Sequence, residues 1–217
     1  MVVTKNNLPK IGIIGAGRLG TALARQSLKA GYEVRISNSR GPESLELLLG
    51  VLLPGAIATT IDETVAQSEI VILAFPLRHF RSLDPRKFDH KLVIDAMNYW
   101  APVEGHMTEF AQSSTTSSET LQSYLATASV IKSLNHVAYS ELEEPVDTSN
   151  ANEPRAIGVA GDDAAAKQQV MAYVNQLGFA PVDIGSLKAG QILQPDTRLF
   201  NSRVTAKEMQ VFAETAV

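Results

Sequence analysis

Apolar residues gather in short unbroken runs: Ile11–Ile14, Glu69–Phe75 (EIVILAF), Lys91–Ala96 (KLVIDA), Ser129–Leu134 (SVIKSL), Ala156–Ala160 and Phe179–Ile184. Continuous runs of this kind predict strands of a parallel sheet buried on both faces. Two shorter strands are expected at Glu33–Ser37 and Ala56–Thr59. Between the runs the pattern changes to helical spacing, over Leu19–Ala30, Glu43–Leu49, Asp62–Gln67, Leu77–Leu83, Glu119–Ala126 and Ala164–Leu177. Punctuation agrees with these limits. Pro42 sits at a first helical position, Gly31, Gly50 and Gly178 follow helices, and Asp162-Asp163 stands where a cap is needed. Residues 103–129 are polar and carry the run Ser113–Ser118, which reads as a solvated loop; Ser140–Glu153 is acidic and reads as a linker or lid. The tail is expected to be helical from about Asp196 on.

Strands alternating with helices predict an α/β fold with a doubly wound, mainly parallel sheet. Residues 1–137 would form a dinucleotide-binding domain, and 138–217 a small C-terminal α/β extension completing an acceptor site.

The first unit, KIGIIGAGRLGTALARQSLKAGYEVRISNSR, holds the clearest chemistry. Gly15-Ala16-Gly17-Arg18-Leu19-Gly20 is a G-x-G-x-x-G between a strand and a helix. Gly15 allows the tight turn, Gly17 lets the backbone approach a pyrophosphate, and Gly20 lets helix and sheet pack closely. The helix then points free N–H groups and its positive dipole end at the phosphates.

An NAD site places an acid at the end of the second strand to hold the ribose 2′-hydroxyl. Here Glu33 opens that strand, and it ends in Ser37-Asn38-Ser39-Arg40. Hydroxyls, an amide and a guanidinium suit a 2′-phosphate, which points to NADP(H); the alternative is that Arg40 is a solvated loop charge. Arg18 could reach phosphate or stack on adenine, or simply be a surface arginine. Ligands of such sheets sit outside the carboxyl ends of the strands. Ala74-Phe75-Pro76, Ala96-Met97-Asn98 and Leu134-Asn135-His136 should therefore surround the nicotinamide half.

Composition narrows the classes. The 217 residues are 45% hydrophobic and 19% charged, with net charge −4. A nucleic-acid binder usually needs a basic surface, so none is expected. There is no cysteine, which removes disulfides, thiolate metal sites and a cysteine nucleophile. Neither a signal pattern nor an apolar run of about 20 residues is present, so no membrane role is expected and the cytoplasm is the default. No His/Asp/Glu cluster has metal-ligand spacing.

Hydride transfer needs position and a dry pocket more than an acid or base, because the cofactor carries the chemistry. A carbonyl acceptor would also need a proton donor. His136 is the better-placed candidate, with a hydrogen-bonded structural histidine as the alternative. Lys132 begins near a strand end and reads more readily as a solvated rim charge. Tyr99 and Trp100, after a strand, could stack on a flat ring or belong to a core or interface.

With these landmarks in place the chain resembles the F420-dependent NADP oxidoreductase family, related in fold to the cytosolic domain of the STEAP ferric reductases. The resemblance is carried by IGIIGAGRLGTALA, SNSRGPESL, ILAFP, VIDAMN, SVIKSLNHVAYSEL and VAGDDAAAKQQVMAYVNQLGFAPVDIGSL. It implies NADP(H) as donor and a deazaflavin or flavin (F420, FMN or FAD) as acceptor. Ser39 and Arg40 would bind the 2′-phosphate, Pro76 and Asn98 would border the nicotinamide ribose, and Asn135 and His136 would face the acceptor. It also implies a homodimer. Two other functions remain open on the residues alone: reduction of a small carbonyl or imine, and non-catalytic sensing of NADP(H).

Overall fold

The structure, a computed structural model, describes residues 8–111, 114–143 and 153–215. In chain order its strands are β1 Ile11–Ile14, β2 Val34–Ser37, β3 Ile57–Ala58, β4 Ile70–Leu73, β5 Leu92–Asp95, β6 Ser129–Ser133, β7 Ala156–Ala160 and β8 Ala180–Gly185. The helices are α1 Arg18–Lys29, α2 Glu46–Leu52, α3 Ile61–Ala66, α4 Ala101–Glu104, α5 Thr108–Ala111, α6 Ser117–Tyr124, α7 Tyr139–Leu142, α8 Ala164–Gln176 and α9 Ala206–Thr215. Tighter 3₁₀ turns lie at Pro42–Leu45, Leu77–Ser82, Pro85–Phe88 and Leu187–Leu193.

All strands join one sheet in the order β3-β2-β1-β4-β5-β6-β7-β8. The order reverses between β1 and β4, the switch point at which ligands of such sheets bind. Every neighbouring pair is parallel except β6–β7, where Lys132 and Ser133 face Ala160 and Val159 in antiparallel register. The sheet is therefore mainly parallel, with one reversal in the C-terminal third.

Period-two alternation explains the apolar runs. In β4, Ile70 and Ile72 enter the cluster under α1 and α8, whereas Val71 and Leu73 enter a second cluster with Phe80, Phe88 and Leu121 on the other face. All four are completely buried, each stabilising the fold by roughly 1.5–3 kcal/mol. A third cluster of Val182, Ile184, Leu193, Leu199 and Met209 packs α9 and the Leu187–Leu193 turn on β7 and β8. Strands before and after residue 137 belong to one sheet, and Ile13 from one side and Val159 and Tyr173 from the other share one cluster.

Several local expectations change. Helix α6 begins at Ser117, because Thr116 and Glu119 form a reciprocal capping box. The Ser113–Ser118 run is thus not a solvated loop throughout; Ser117 and Ser118 are buried. The segment 77–83 is a 3₁₀ turn. The tail is not helical from Asp196: Asp196 and Asn201 take left-handed φ angles of 69° and 56°, which an α-helix cannot pass through, and α9 starts only at Ala206. Of the expected linker 140–153, residues 144–152 lie outside the described residues.

Candidate active site

The turn between β1 and α1 divides its work among three glycines. Gly15 has φ 116°, and a Cβ there would lie 2.3 Å from the Ala74 carbonyl oxygen. Its N–H donates to the Ser37 carbonyl at 2.8 Å, tying the turn to the end of β2. Gly20 is needed for closeness, since a Cβ would come within 1.8 Å of the Gly15 carbonyl oxygen. Gly17 differs from both. It has an ordinary φ of −80° at the N-cap of α1 with no side-chain cap, and a Cβ there would meet nothing within 4 Å. The amides of the first turn of α1 therefore open onto free space over Gly17, and a diphosphate fits that cradle. Ala16 and Leu19 are half-buried beside it.

Arg18 is exposed and held. Its Nη1 donates to the Tyr139 hydroxyl at 3.2 Å, and its guanidinium lies 5.5 Å from the Tyr139 ring centroid. It borders the cradle with an aromatic partner that the glycine motif gave no hint of.

At the end of β2, Asn38 turns out to organise the loop. Its Oδ1 accepts from the Arg40 N–H at 2.9 Å and from Ser44 Oγ at 3.2 Å, and its Nδ2 donates to Ser44 Oγ at 2.9 Å. That network leaves Ser39 and Arg40 exposed. Glu33, before the strand, pairs with Arg35. A corner with a free guanidinium and hydroxyl, and no acid at the strand end, fits a 2′-phosphate.

The end of β4 packs against the glycine turn, with the Ala74 N–H donating to the Ile14 carbonyl at 2.9 Å. Phe75 is half-buried and Pro76 exposed. Just beyond, the Leu77 and Arg78 N–H groups donate to the Glu104 carboxylate at 3.2 and 3.0 Å. Glu104 is a site-shaping residue that the sequence reading missed.

The ends of β5 and β6 are clasped together. Asn98 Nδ2 donates to the Asn135 carbonyl at 2.7 Å, and Asn135 Nδ2 donates to Asn98 Oδ1 and to the Leu193 carbonyl, each at 2.8 Å. Leu134 at φ 65° kinks the chain immediately before, a strained conformation of the kind that gathers at functional sites. Asn135 is buried; its Nδ2 holds Asn98 and the C-terminal turn, while its Oδ1 has no hydrogen-bond partner.

His136 is placed differently from the expectation. It is buried at 1% exposure, and its Nε2 accepts from the Gly158 N–H at 3.4 Å. Desolvation, reinforced by the positive charges of Arg155 and Lys132, pushes its pKa down to about 3. A neutral imidazole buried against β7, its Nε2 taken by the Gly158 N–H, fits the alternative of a hydrogen-bonded structural histidine better than a proton donor open to a substrate. Lys132 departs further. It is fully buried, its Nζ donating to Asp95 Oδ2 at 3.2 Å and to the Met97 carbonyl. Burial pulls its pKa down, and Asp95 counters that.

Past the clasp lies an open cavity of ≈ 340 Å³. Tyr99, Trp100 and Phe110 form one wall, the hydroxyl run Ser114–Ser117 another, and Gln191, Gln194 and Asp196 a third. Gln194 Nε2 donates to Ser117 Oγ at 3.1 Å, joining two of the walls. Among the described residues no cluster of His, Asp and Glu could hold a metal ion, and no helix is long and apolar enough to cross a membrane.

A glycine-turned β1–α1 unit at the switch point of a mainly parallel sheet is the Rossmann-type, NAD(P)-binding arrangement. Residues 10–99 match the family described as NADP oxidoreductase, coenzyme F420-dependent. The likeness extends beyond that stretch. Metalloreductase STEAP3 of Rattus norvegicus is 28% identical over 185 residues, covering 84% of this chain and 35% of the relative. The chain thus spans about a third of the length of the metalloreductases it matches. A structure of a hypothetical protein from Sinorhizobium meliloti superposes with TM-score 0.81 at 28% identity, covering 92% of this chain and 97% of that one. The imine reductase of Myxococcus stipitatus, solved with NADP+, shares the fold at TM-score 0.60 and 17% identity, over 96% of this chain and 61% of its own.

Proposed function

We propose that this protein binds NADP(H) and catalyses hydride transfer between it and a flat, deazaflavin- or flavin-like acceptor. The observation that carries this reading is the alignment of three features along the carboxyl ends of the strands. They are the open cradle over Gly17, the exposed Ser39–Arg40 corner, and the aromatic-walled cavity past Asn98.

When bound, the reduced nicotinamide supplies the hydride. The chain's own residues supply position. The α1 amides and Gly17 hold the diphosphate, Arg18 borders it, and Ser39 and Arg40 take the 2′-phosphate. Ala74, Phe75, Pro76 and Asn98 frame the nicotinamide end. The Asn98–Asn135 clasp fixes the loop from which Tyr99 and Trp100 reach into the cavity.

Reduction of a carbonyl is the weaker reading, because it needs a proton donor at the acceptor. His136 and Lys132 are both sealed from solvent, and the Tyr99 hydroxyl already donates to the Gly105 carbonyl at 3.3 Å. The test is an NADPH-oxidation assay across deazaflavin, flavins, quinones, ferric chelates, imines and small ketones, with NADH in parallel. Turnover is expected with NADPH and a fused-ring acceptor. Preference for NADH, or turnover restricted to ketones, overturns the proposal.

A further inference from the structure

We infer that the acceptor cavity selects an uncharged fused-ring heterocycle, of the size and polarity of an unphosphorylated isoalloxazine, over phosphorylated forms of the same ring. This rests on the proposed function and narrows its substrate class.

The cavity's chemistry points that way. Its apolar wall is aromatic: Tyr99 and Phe110 stand 5.5 Å apart between ring centroids with their planes tilted by 42°, and Trp100 beside them is 47% exposed. Such a wall suits a planar ring face. The opposite walls offer hydroxyls and the amides Gln191 and Gln194, which match the carbonyl and N–H edge of a pteridine- or isoalloxazine-type ring. Among the described residues no lysine or arginine lines the cavity, and the charged residue in its lining is the exposed Asp196. The whole chain carries net charge −4. A phosphate or polycarboxylate tail held at this rim would meet a carboxylate and no cation. Phosphate sites elsewhere are built from Arg, Lys and open helix amides, and this protein builds one over Gly17 and Arg40, at the other end of the strands' crest. Two or three fused rings fill a cavity of ≈ 340 Å³, which leaves a charged tail outside and facing Asp196.

The electron count closes without a protein acid. A hydride leaves C4 of the reduced nicotinamide for N5 of the ring. The C–H bond breaks and an N–H bond forms. Water supplies one proton at N1, so the ring gains two electrons and the nicotinamide loses two.

Trp100 is the only tryptophan in the chain, so its emission reports directly on the cavity. The experiment titrates that emission with riboflavin and with FMN, in the presence of NADP+, and follows with steady-state NADPH oxidation using each acceptor. Riboflavin is expected to bind, and to be reduced by kcat/KM, roughly tenfold better than FMN. Asp196→Asn should close most of that gap; asparagine tolerates the left-handed φ of 69° at this position. Gln191→Lys should reverse it by adding a cation at the rim. FMN binding as tightly as riboflavin, or riboflavin leaving Trp100 unquenched while NADP+ still binds by calorimetry, overturns the inference alone. Failure of NADP+ to bind overturns the function on which it rests.

Discussion

Asp95 and Lys132 face one another across β5 and β6 as register partners, and both side chains are wholly buried. The pair does more than neutralise itself. Asp95 Oδ1 accepts from the Met97 N–H at 3.0 Å, Oδ2 accepts from Ser118 Oγ at 2.7 Å, and Lys132 Nζ holds the Met97 carbonyl. The backbone that delivers Asn98, Tyr99 and Trp100 to the cavity is thus gripped from both sides by one ion pair.

Removing one partner should cost more than removing both. Lys132→Met leaves Asp95 as an uncompensated buried charge, with an expected loss of about 3–5 kcal/mol in denaturant unfolding. The double variant Lys132→Met with Asp95→Leu should recover most of that loss, because the charges leave together. Equal losses in the single and double variants would show that packing, not charge, holds this site.

Gly17 and Gly20 predict opposite phenotypes. Gly20→Ala drives a methyl to 1.8 Å from the Gly15 carbonyl oxygen, so it should lower the melting temperature by several degrees or prevent folding. Gly17→Ala meets no atom within 4 Å and keeps an allowed φ, so the melting temperature should stay within a degree or two. Its methyl would enter the space proposed for the diphosphate, and NADPH affinity should fall at least about tenfold by calorimetry, a loss of roughly 1.4 kcal/mol. Unchanged affinity in Gly17→Ala would remove the diphosphate from this turn.

These contrasts also show what a linear sequence can and cannot carry. The β1–turn–α1 unit was legible because its constraints are local: the strand period, the glycine spacing and the helix stop all lie within thirty-odd residues. Lys132 was read as a rim charge because its burial depends on Asp95, on another strand, and no local pattern announces the pairing. The burial of His136 is hidden from the sequence for the same reason; its partner Gly158 lies 22 residues away, on the antiparallel strand β7. The Ser113–Ser118 run looked like a solvated loop on composition. Yet Thr116–Glu119 was a capping-box spacing that could have placed the helix start at Ser117. The cavity itself, assembled from residues near 100, 115 and 194, had no sequence signature.

Arg40 tests the choice of dinucleotide. The Asn38 network presents the residue without engaging its guanidinium, so Arg40→Ala should leave the fold intact. A charge-assisted hydrogen bond to phosphate contributes about 1.5–3 kcal/mol, so the NADPH-to-NADH preference in kcat/KM should drop roughly 10- to 100-fold. The drop should come from NADPH alone, with NADH values unchanged. A parallel loss for both dinucleotides would assign Arg40 to general folding of the loop.

His136 predicts a specific acid sensitivity. Its ordinary pKa of 6.5 falls to about 3 in the fold, chiefly through desolvation. Between those values the unfolded chain binds a proton that the folded chain refuses. The contribution is therefore complete above pH 6.5 and is lost as pH falls toward 3, at about 1.4 kcal/mol per pH unit. The carboxylates whose pKa is lowered by the fold, among them Asp84, Glu141 and Asp163, start from 3.8 or 4.5, so their share is lost only as pH falls below about 5. Urea unfolding between pH 7 and 5 isolates the histidine. His136→Gln cannot take up the proton, and its stability should be flatter over that interval than the parent's, at the expense of a lower plateau where the amide fits less well. Because the ring is sealed from the cavity, the variant's kcat at pH 7 should stay within about threefold of the parent, far short of the 10²–10⁴-fold that loss of a general acid costs. A folded His136→Gln protein with kcat reduced a hundredfold would return this residue to the chemistry.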